Sequence, residues 1–320
     1  MSQAILDVKN LKKHFKTSLG TVKAVDDVSF SINASETFGL VGESGSGKST
    51  TAFTIMGIYA PTSGQISFKN NPLVGGVKAR PRILKKDMQM VFQDPGSSLN
   101  PRRSIGDILK LPISVHKLYE GKQRERVDDL LNMVGLPLDF VDRYPRQLGG
   151  GEKQLVAIAR ALATEPSFIT LDEPSSALDV SMQAKIINTL LRIQKEFKIS
   201  FLFITHNLSL MRNVAQNVGI MYLGELLEVA PASEFFSKPL HPYTKMLISS
   251  IPVITAEEEA LKPKKIVSRG EIPSPVNVPP GCAFHSRCNE CSENCKADDP
   301  QMVQIEEGHW IKCHQFTPPS

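Results

Sequence analysis

The residues with the clearest chemistry lie in a glycine-rich segment, GESGSGKST, at positions 42–50. It matches the pattern G-x-x-x-x-G-K-[ST], in which glycines let the backbone turn its N–H groups toward phosphate oxygens and the following helix adds its dipole. The lysine would reach the β- and γ-phosphates of a nucleotide, and the serine hydroxyl after it would ligate Mg²⁺. The residues predicted to hold the nucleotide here are Gly42, Ser44, Gly45, Gly47, Lys48, Ser49 and Thr50.

A phosphate loop of this kind needs a second, carboxylate-bearing strand, and the segment FITLDE at 168–173 fits that role. Asp172 would complete the Mg²⁺ shell, and Glu173 could act as general base on an attacking water. The alternative is two solvated acids at a strand end before Pro174. Lys48 and Asp172 are 124 positions apart, which predicts a helical insertion between the two strands.

All five cysteines fall near the C-terminal end, with spacing C-x5-C-x2-C-x3-C-x17-C. In a chain with no secretory signal, thiolate ligation of a metal explains such a group better than disulfides do. The x2 and x3 spacings are also used in ferredoxin-type iron–sulfur ligation. Three alternatives stay open, namely an iron–sulfur cluster, tetrahedral zinc and no metal. In a zinc site, the histidines that could replace a thiolate are His285, His309 and His314.

The elements that must position these residues follow from apolar patterning. Short apolar runs predict buried strands at 37–41, 167–171 and 200–205. Helical spacing predicts helices over Val127–Val134, which Gly135 would end, over Leu155–Leu162 and over Ser181–Phe197. Strands alternating with helices favour an α/β domain with a largely parallel sheet covered on both faces.

Composition narrows the function further. The chain has 320 residues, 41% of them hydrophobic and 22% charged, which is typical of a globular protein with a real core. A net charge of +4 is too small to indicate a nucleic-acid binder. No apolar run approaches the ~20 residues of a membrane span, and the segment MSQAILDVKN has no signal-peptide pattern. We therefore expect a soluble, cytoplasmic chain.

Several further segments, together with the phosphate loop, resemble ATP-binding cassette (ABC) proteins, that is, P-loop NTPases of RecA-like fold. LGGGE at 148–152 stands in place of the family's LSGGQ signature and contributes Gly149, Gly150 and Gly151 to nucleotide binding. Gln93 resembles the glutamine of the Q-loop and would also bind Mg²⁺, and Ser176–Asp179 resembles the D-loop. His206 resembles the switch histidine, and Phe15 resembles the aromatic residue that stacks on adenine. Alone, Gln93, Phe15 and His206 would be ordinary loop or core residues. Their joint order across residues 5–235 supports the resemblance.

The resemblance implies two cassettes facing head to tail, with each ATP held between one chain's phosphate loop and the other's signature. His206 would contact the γ-phosphate, Gln93 would sense Mg²⁺ and the water, and Asp179 would report across the dimer. Here Gly149 replaces the signature serine and Glu152 the glutamine. Losing that hydroxyl removes a hydrogen bond of roughly 1.5–3 kcal/mol to a charged group. We therefore expect the site completed by this signature to be the weaker of the two.

A narrower resemblance is to oligopeptide/dipeptide importer ATPases, of the F type more than the D type. It rests on VFQDPGSSLNPR (91–102), MYLGELLEVAP (221–231), HPYTKMLISSIP (241–252) and GEIPSPVNVPPGCAFHSRC (270–288). It implies two permeases, a second and different ATPase, and an extracytoplasmic binding protein, with the chain peripheral to the cytoplasmic face of the membrane. Related importers carry nickel or oligosaccharides. The rival classes are a soluble ABC protein of translation or DNA repair, and a regulatory cassette that mainly binds ATP.

The domain organisation expected is an ABC ATPase domain over 1–235, with a helical subdomain at about 94–155, a connector over 236–275 and a cysteine-rich tail over 276–320. The resemblance assigns four tail cysteines to a 4Fe–4S cluster, with Zn²⁺ as the alternative. Those four residues are Cys282, Cys288, Cys295 and Cys313. Cys291 is then an additional thiol.

Overall fold

The computed structural model describes residues 4–176, 178–251, 266–267 and 270–316. Ala177, in the segment that resembles the D-loop, lies outside the described residues. So does most of the second half of the predicted connector, at 252–265 and 268–269.

The strands form two sheets. Their bounds are β1 Ala4–Thr17, β2 Gly20–Asn33, β3 Thr37–Val41, β4 Ser63–Phe68, β5 Asn71–Pro72, β6 Met88–Val91, β7 Phe168–Asp172, β8 Ser200–Thr205, β9 Asn217–Tyr222, β10 Glu225–Pro231, β11 Met302–Glu306 and β12 His309–Lys312. The smaller sheet has the order β2-β1-β4-β5, and its pairs are antiparallel. The larger sheet has the order β11-β12-β10-β9-β3-β8-β7-β6.

The helices connect and cover these strands. They are α1 Lys48–Ile55, α2 Arg82–Asp87, α3 Pro95–Ser98, α4 Ile105–Val115, α5 Gln123–Met133, α6 Gly150–Leu162, α7 Val180–Phe197, α8 Leu208–Val214, α9 Ala232–Ser237, α10 Pro242–Ser249 and α11 Asn294–Ala297. Helices α3 to α6 lie between β6 and β7 in the chain, where the long separation of Lys48 from Asp172 predicted a helical insertion. The three helices predicted from apolar spacing are α5, α6 and α7, and all three are confirmed.

The centre of the large sheet is parallel. Strands β6, β7, β8, β3 and β9 pair in parallel register, as the alternation of strands and helices predicted. Every residue of β3, β7 and β8 is buried, because helices cover one face of the sheet and α1 together with the smaller sheet covers the other. The prediction of a covered parallel sheet therefore holds, but one cover is largely a second sheet. The carboxyl ends of these strands meet at one edge, so the segments after them lie side by side.

The C-terminal end of the chain adds strands to this same sheet. Strands β11 and β12 form an antiparallel hairpin, and β12 pairs with β10 through Glu228 opposite Ile311 and Val229 opposite Trp310. Ile311 is buried, and Phe284 belongs to the same apolar core as residues of helices α4 to α7. The hairpin therefore shares the large sheet, and part of the tail shares the core beside it.

A buried ion pair fastens this hairpin. His309 Nε2 lies 2.8 Å from Glu228 Oε1, and both side chains are almost fully buried. Burial opposes ionisation of Glu228, but hydrogen bonds from His309 and from the backbone amides of Leu240 and His241 hold its pKa below the ordinary value. Burial alone would lower the pKa of His309, yet the bond to Glu228 raises it.

This pair makes docking of the hairpin depend on pH. The pKa of His309 is raised in the folded chain. Protonated His309 therefore contributes fully to the free energy of unfolding below its unfolded-state pKa of about 6.5, and this contribution is lost as pH rises through its folded-state pKa. Thermal stability should therefore fall above about pH 6.5 in the wild type, and His309→Gln should flatten that fall. The exposed His314 provides the matched variant His314→Gln, which should retain the wild-type profile. An unchanged pH profile in His309→Gln would contradict the assignment.

Candidate nucleotide-binding site

The phosphate loop runs from β3 into α1, as its pattern predicted. Gly47 precedes α1 with φ of 107°, a left-handed conformation that favours glycine. A Cβ at Gly47 would lie 2.2 Å from the carbonyl oxygen of Ala24, and one at Gly42 would lie 2.2 Å from that of Met221. Both glycines are therefore required by the close approach of neighbouring backbone.

Lys48 is buried within this loop, with 5% of its surface exposed. Its Nζ donates to the carbonyl oxygens of Gly42 and Glu43 at 2.8 and 2.9 Å. Burial lowers the pKa of Lys48, and the carboxylates of Glu173, Asp172 and Glu43 oppose that shift. An ammonium held in this way can exchange its carbonyl contacts for phosphate oxygens.

Two of the three residues predicted to bind Mg²⁺, Ser49 and Asp172, meet beside the loop. Ser49 Oγ donates to Asp172 Oδ1 at 3.0 Å, although the two residues are 123 positions apart. Asp172 is 2% exposed, and burial raises its pKa against the opposing effects of Ser49 and Lys48. A desolvated carboxylate beside a hydroxyl is an oxygen donor set suited to Mg²⁺, which would offset the cost of the buried charge.

Three polar side chains converge at the ends of adjacent strands. Glu173 Oε2 accepts a hydrogen bond from Gln93 Nε2 at 3.2 Å and lies 3.1 Å from His206 Nδ1. These residues follow β7, β6 and β8, so the parallel sheet brings them together. Glu173 has a φ of 46°, and its backbone N–H donates to Ile204 at 2.9 Å. The arrangement presents one carboxylate, oriented by two neighbours, next to the phosphate loop.

A cavity of about 270 Å³ lies above the loop. Its predicted lining residues are Ser44, Gly45, Gly47, Lys48, Ser49, Thr50, Gln93 and Glu173. Phe15 is not among its lining residues, and its ring instead packs edge-to-face on Tyr59 with centroids 5.2 Å apart. The lining residues that sequence reasoning missed are Val22, Lys23, Ala24, Leu223, Gly224 and Pro275. No local motif marks them, because they reach the cavity from β2, the β9–β10 turn and the end of the connector through long-range packing.

The signature segment lies outside this cavity. Gly149 precedes α6, and its N–H donates to the Glu152 carboxylate at 2.8 Å. A Cβ on Gly151 would lie 2.6 Å from Sδ of Met182, so the signature packs closely on the start of α7. Asp179 caps that helix by accepting from the backbone N–H of Met182 at 2.9 Å. Gly149, Gly150, Gly151 and Asp179 are therefore grouped together, but not with the phosphate loop of their own chain.

Within the part of the chain that the structure describes, no disulfide joins the tail cysteines. Burial raises the pKa of Cys282 to about 12 and that of Cys288 to about 11, and neighbouring thiols contribute to both shifts. His309 is paired with Glu228, while His285 and His314 lie within hydrogen-bond distance of the carbonyl oxygens of Cys282 and Asp298. Over the described ranges, no three His, Cys, Asp or Glu residues are placed to hold a metal ion. The predicted 4Fe–4S or zinc site therefore has no support from the geometry.

The fold and these contacts define a P-loop nucleotide-binding protein of the α/β class. Within the part of the chain that the structure describes, no helix is long and apolar enough to cross a membrane.

Comparison with known proteins gives the family. The ABC transporter family matches residues 25–176, and the oligopeptide/dipeptide transporter C-terminal region matches residues 227–295. The oligopeptide transport ATP-binding protein AppF of Bacillus subtilis is 44% identical over 98% of both chains. The di/tripeptide transport ATP-binding protein DppF of Pseudomonas aeruginosa is 40% identical, again over 98% of both. This chain belongs to the family of oligopeptide/dipeptide ABC transporter ATP-binding proteins, which confirms the predicted resemblance.

Solved structures agree on the fold. CbiO1 of Clostridium perfringens, part of the ABC transporter complex CbiONQ, has a TM-score of 0.65 and 31% identity over 73% of this chain and 91% of its own. The ATP-binding cassette MJ0796, solved as a dimer with ADP and Pi, has a TM-score of 0.63 and 28% identity over 71% of this chain and 98% of its own.

Proposed function

We propose that this chain is the ATP-hydrolysing subunit of an ABC importer for oligopeptides, dipeptides or similar solutes. The observation that carries the proposal is the convergence of Gln93, Glu173 and His206 beside the phosphate loop. A carboxylate oriented in this way beside the phosphate loop supports the role of general base on a water that attacks the γ-phosphate. The names of the full-length relatives support peptides as the solute class.

In the proposed mechanism, loop amides and Lys48 bind the phosphates of ATP. Ser49, Asp172 and Gln93 would hold Mg²⁺, which would supply positive charge to neutralise the phosphates. Glu173 accepts a proton from the water that attacks the γ-phosphorus, while Gln93 orients that water. His206 contacts the γ-phosphate and also pairs with Glu173, so it joins the bound phosphate to the proposed base. Phe15 would stack on adenine after rotating from Tyr59.

The proposed active unit contains two cassettes facing head to tail. Its support is that the signature lies outside the cavity of its own chain, so that a partner's signature is needed to close the site. The partner is a second, homologous ATPase. In this proposal residues 1–235 are the ATPase domain, with its helical subdomain at about 94–155 inserted between β6 and β7. Residues 236–275 are the connector, and 276–320 form the cysteine-rich extension.

The proposed partners also include two permeases, and an apolar groove is the surface offered to them. The groove has a volume of about 430 Å³ and is lined partly by Met56, Ile58, Val77, Leu84 and Phe92. Ile58 and Val77 are each 45% exposed, and such a surface is typical of an interaction site. Docking there would place the chain on the cytoplasmic face of the membrane, fed by an extracytoplasmic binding protein.

The importer is tested by anaerobic isolation of the tagged chain from detergent-solubilised membranes, with partners identified by mass spectrometry. Recovery of two polytopic permeases and a second ATPase is the expected result, and the co-isolated binding protein would distinguish peptides from nickel or oligosaccharides. Recovery with ribosomes or nucleic acid, without membrane subunits, would instead indicate a soluble ABC protein.

The proposal includes unequal ATP sites. Gly149 has no hydroxyl to donate, and its N–H is occupied by the Glu152 carboxylate. In the assembled complex, Gly149→Ser should therefore strengthen only the partner's site and leave turnover at the Lys48 site little changed. The measurement is ATPase activity with the partner's phosphate loop intact and disabled. A rise above tenfold that survives disabling the partner would refute this asymmetry.

A 4Fe–4S cluster on the tail is also proposed, with Cys282, Cys288, Cys295 and Cys313 as its ligands. Its support is the family resemblance and the mutual electrostatic influence of the four thiols. Iron and acid-labile sulfide near four each per chain, in anaerobically purified protein, are expected for such a cluster. One zinc per chain, or no metal, would refute the cluster.

A further inference from the structure

The second residue of the phosphate loop is held by the C-terminal tail. Glu43 lies next to Gly42, and its carboxylate accepts two hydrogen bonds from Arg287, at 2.6 Å from Nη1 and 3.1 Å from Nη2. The two residues are 244 positions apart. Arg287 is 6% exposed and belongs to the tail, directly before Cys288.

The guanidinium is held in place by a rigid aromatic cluster. It lies 5.7 Å from the ring centroid of Tyr222 and 5.9 Å from that of Phe284. Tyr243 packs on both rings, and its hydroxyl donates to Glu43 Oε2 at 3.2 Å. The same hydroxyl accepts from the N–H of Glu43 at 3.2 Å. A planar guanidinium held in this position can donate two parallel hydrogen bonds to one carboxylate.

The charge on Glu43 matters because of where it lies. Its backbone carbonyl contacts Lys48 Nζ, and its carboxylate acts electrostatically on that lysine. ATP brings several negative charges to the same loop. An uncompensated carboxylate beside them would weaken nucleotide binding by repulsion, whereas the bidentate guanidinium cancels it.

We propose that Arg287, a residue of the tail, sets the affinity of the phosphate loop for nucleotide. It acts through Glu43, because its positive charge neutralises the Glu43 carboxylate beside the loop. The inference rests on the proposed function, because the ligand is ATP. It gives the C-terminal region a role at the ATP site. Pro275, at the end of the connector, lines the cavity above the same loop.

The test uses the full chain and measures the Kd for MgATP and for MgADP in wild type, Arg287→Gln, Glu43→Gln and the double variant. Arg287→Gln should weaken MgATP binding about tenfold, as expected for one unit charge roughly 10 Å from the phosphates at an effective dielectric constant of about 20. The loss should be smaller for MgADP, which carries less charge. Glu43→Gln should bind at least as tightly as wild type, and the double variant should regain most of the lost affinity.

The sign of the Glu43→Gln effect separates charge compensation from a purely structural role. If the pair serves only to hold the loop in shape, removing either partner weakens binding, and that result would overturn the proposal. Because Glu43 is more exposed than Arg287, the Glu43→Gln variant keeps the proposal falsifiable even where Arg287→Gln folds poorly. Lys238→Ala, which breaks the exposed tail ion pair with Glu306, is the matched control and should leave Kd unchanged. A wild-type chain that binds no MgATP would instead refute the proposed function.

Discussion

Glu173→Gln should slow ATP hydrolysis by roughly 10²- to 10⁴-fold, the range for loss of a general base, while nucleotide binding is retained. The substitution keeps the shape of the side chain and its contact with Gln93, but an amide cannot take a proton from the attacking water. His206, 3.1 Å from the carboxylate, would keep its position beside the γ-phosphate. The measurement is single-turnover hydrolysis together with the Kd for MgATP.

The matched control for this variant is Glu196→Gln, since Glu196 is an exposed glutamate on α7 that pairs only with Arg192 in the contacts described. It should leave both turnover and binding unchanged. Hydrolysis by Glu173→Gln at the wild-type rate would refute the assigned base. Equal losses of binding and turnover would mean that Glu173 supports the nucleotide and does not act as the base.

Lys48→Met should weaken MgATP binding by roughly 10²-fold or more, and hydrolysis should fall with it. Two charge-assisted hydrogen bonds to phosphate are lost, and each such bond is worth about 1.5–3 kcal/mol. Methionine is close to lysine in volume, so the buried site stays filled. The readouts are the Kd for MgATP and the steady-state ATPase rate, with thermal unfolding as the check on folding.

Lys185→Met is the matched control, because Lys185 is an exposed lysine on α7. It should bind MgATP as the wild type does. If Lys48→Met bound MgATP with wild-type affinity, the phosphate contacts of Lys48 would be refuted. If binding were retained and only hydrolysis lost, Lys48 would act in the transition state alone.

Much of the nucleotide site could be predicted because its signals are local. The glycines at 42, 45 and 47 and the following Lys48 form one contiguous motif, and the positive φ of Gly45 and Gly47 is a local backbone property that glycine tolerates. Strands β3, β7 and β8 are apolar runs of five or six residues. Once parallel pairing is assumed, the ends of these strands must meet, and this places Glu173 and His206 together. Gln93 follows β6, a strand that apolar patterning did not predict.

What only the tertiary structure decided depends on pairs far apart in the chain. The sequence predicted a separate cysteine-rich tail, but it contains no signal that β12 pairs with β10, that His309 meets Glu228 or that Arg287 reaches Glu43. Each of these residues could pair with many other residues of suitable charge or shape. Packing of the whole core decides which pair forms. Local periodicity and motif spacing thus determined the ATP site, whereas the contact between the tail and that site followed only from the folded arrangement.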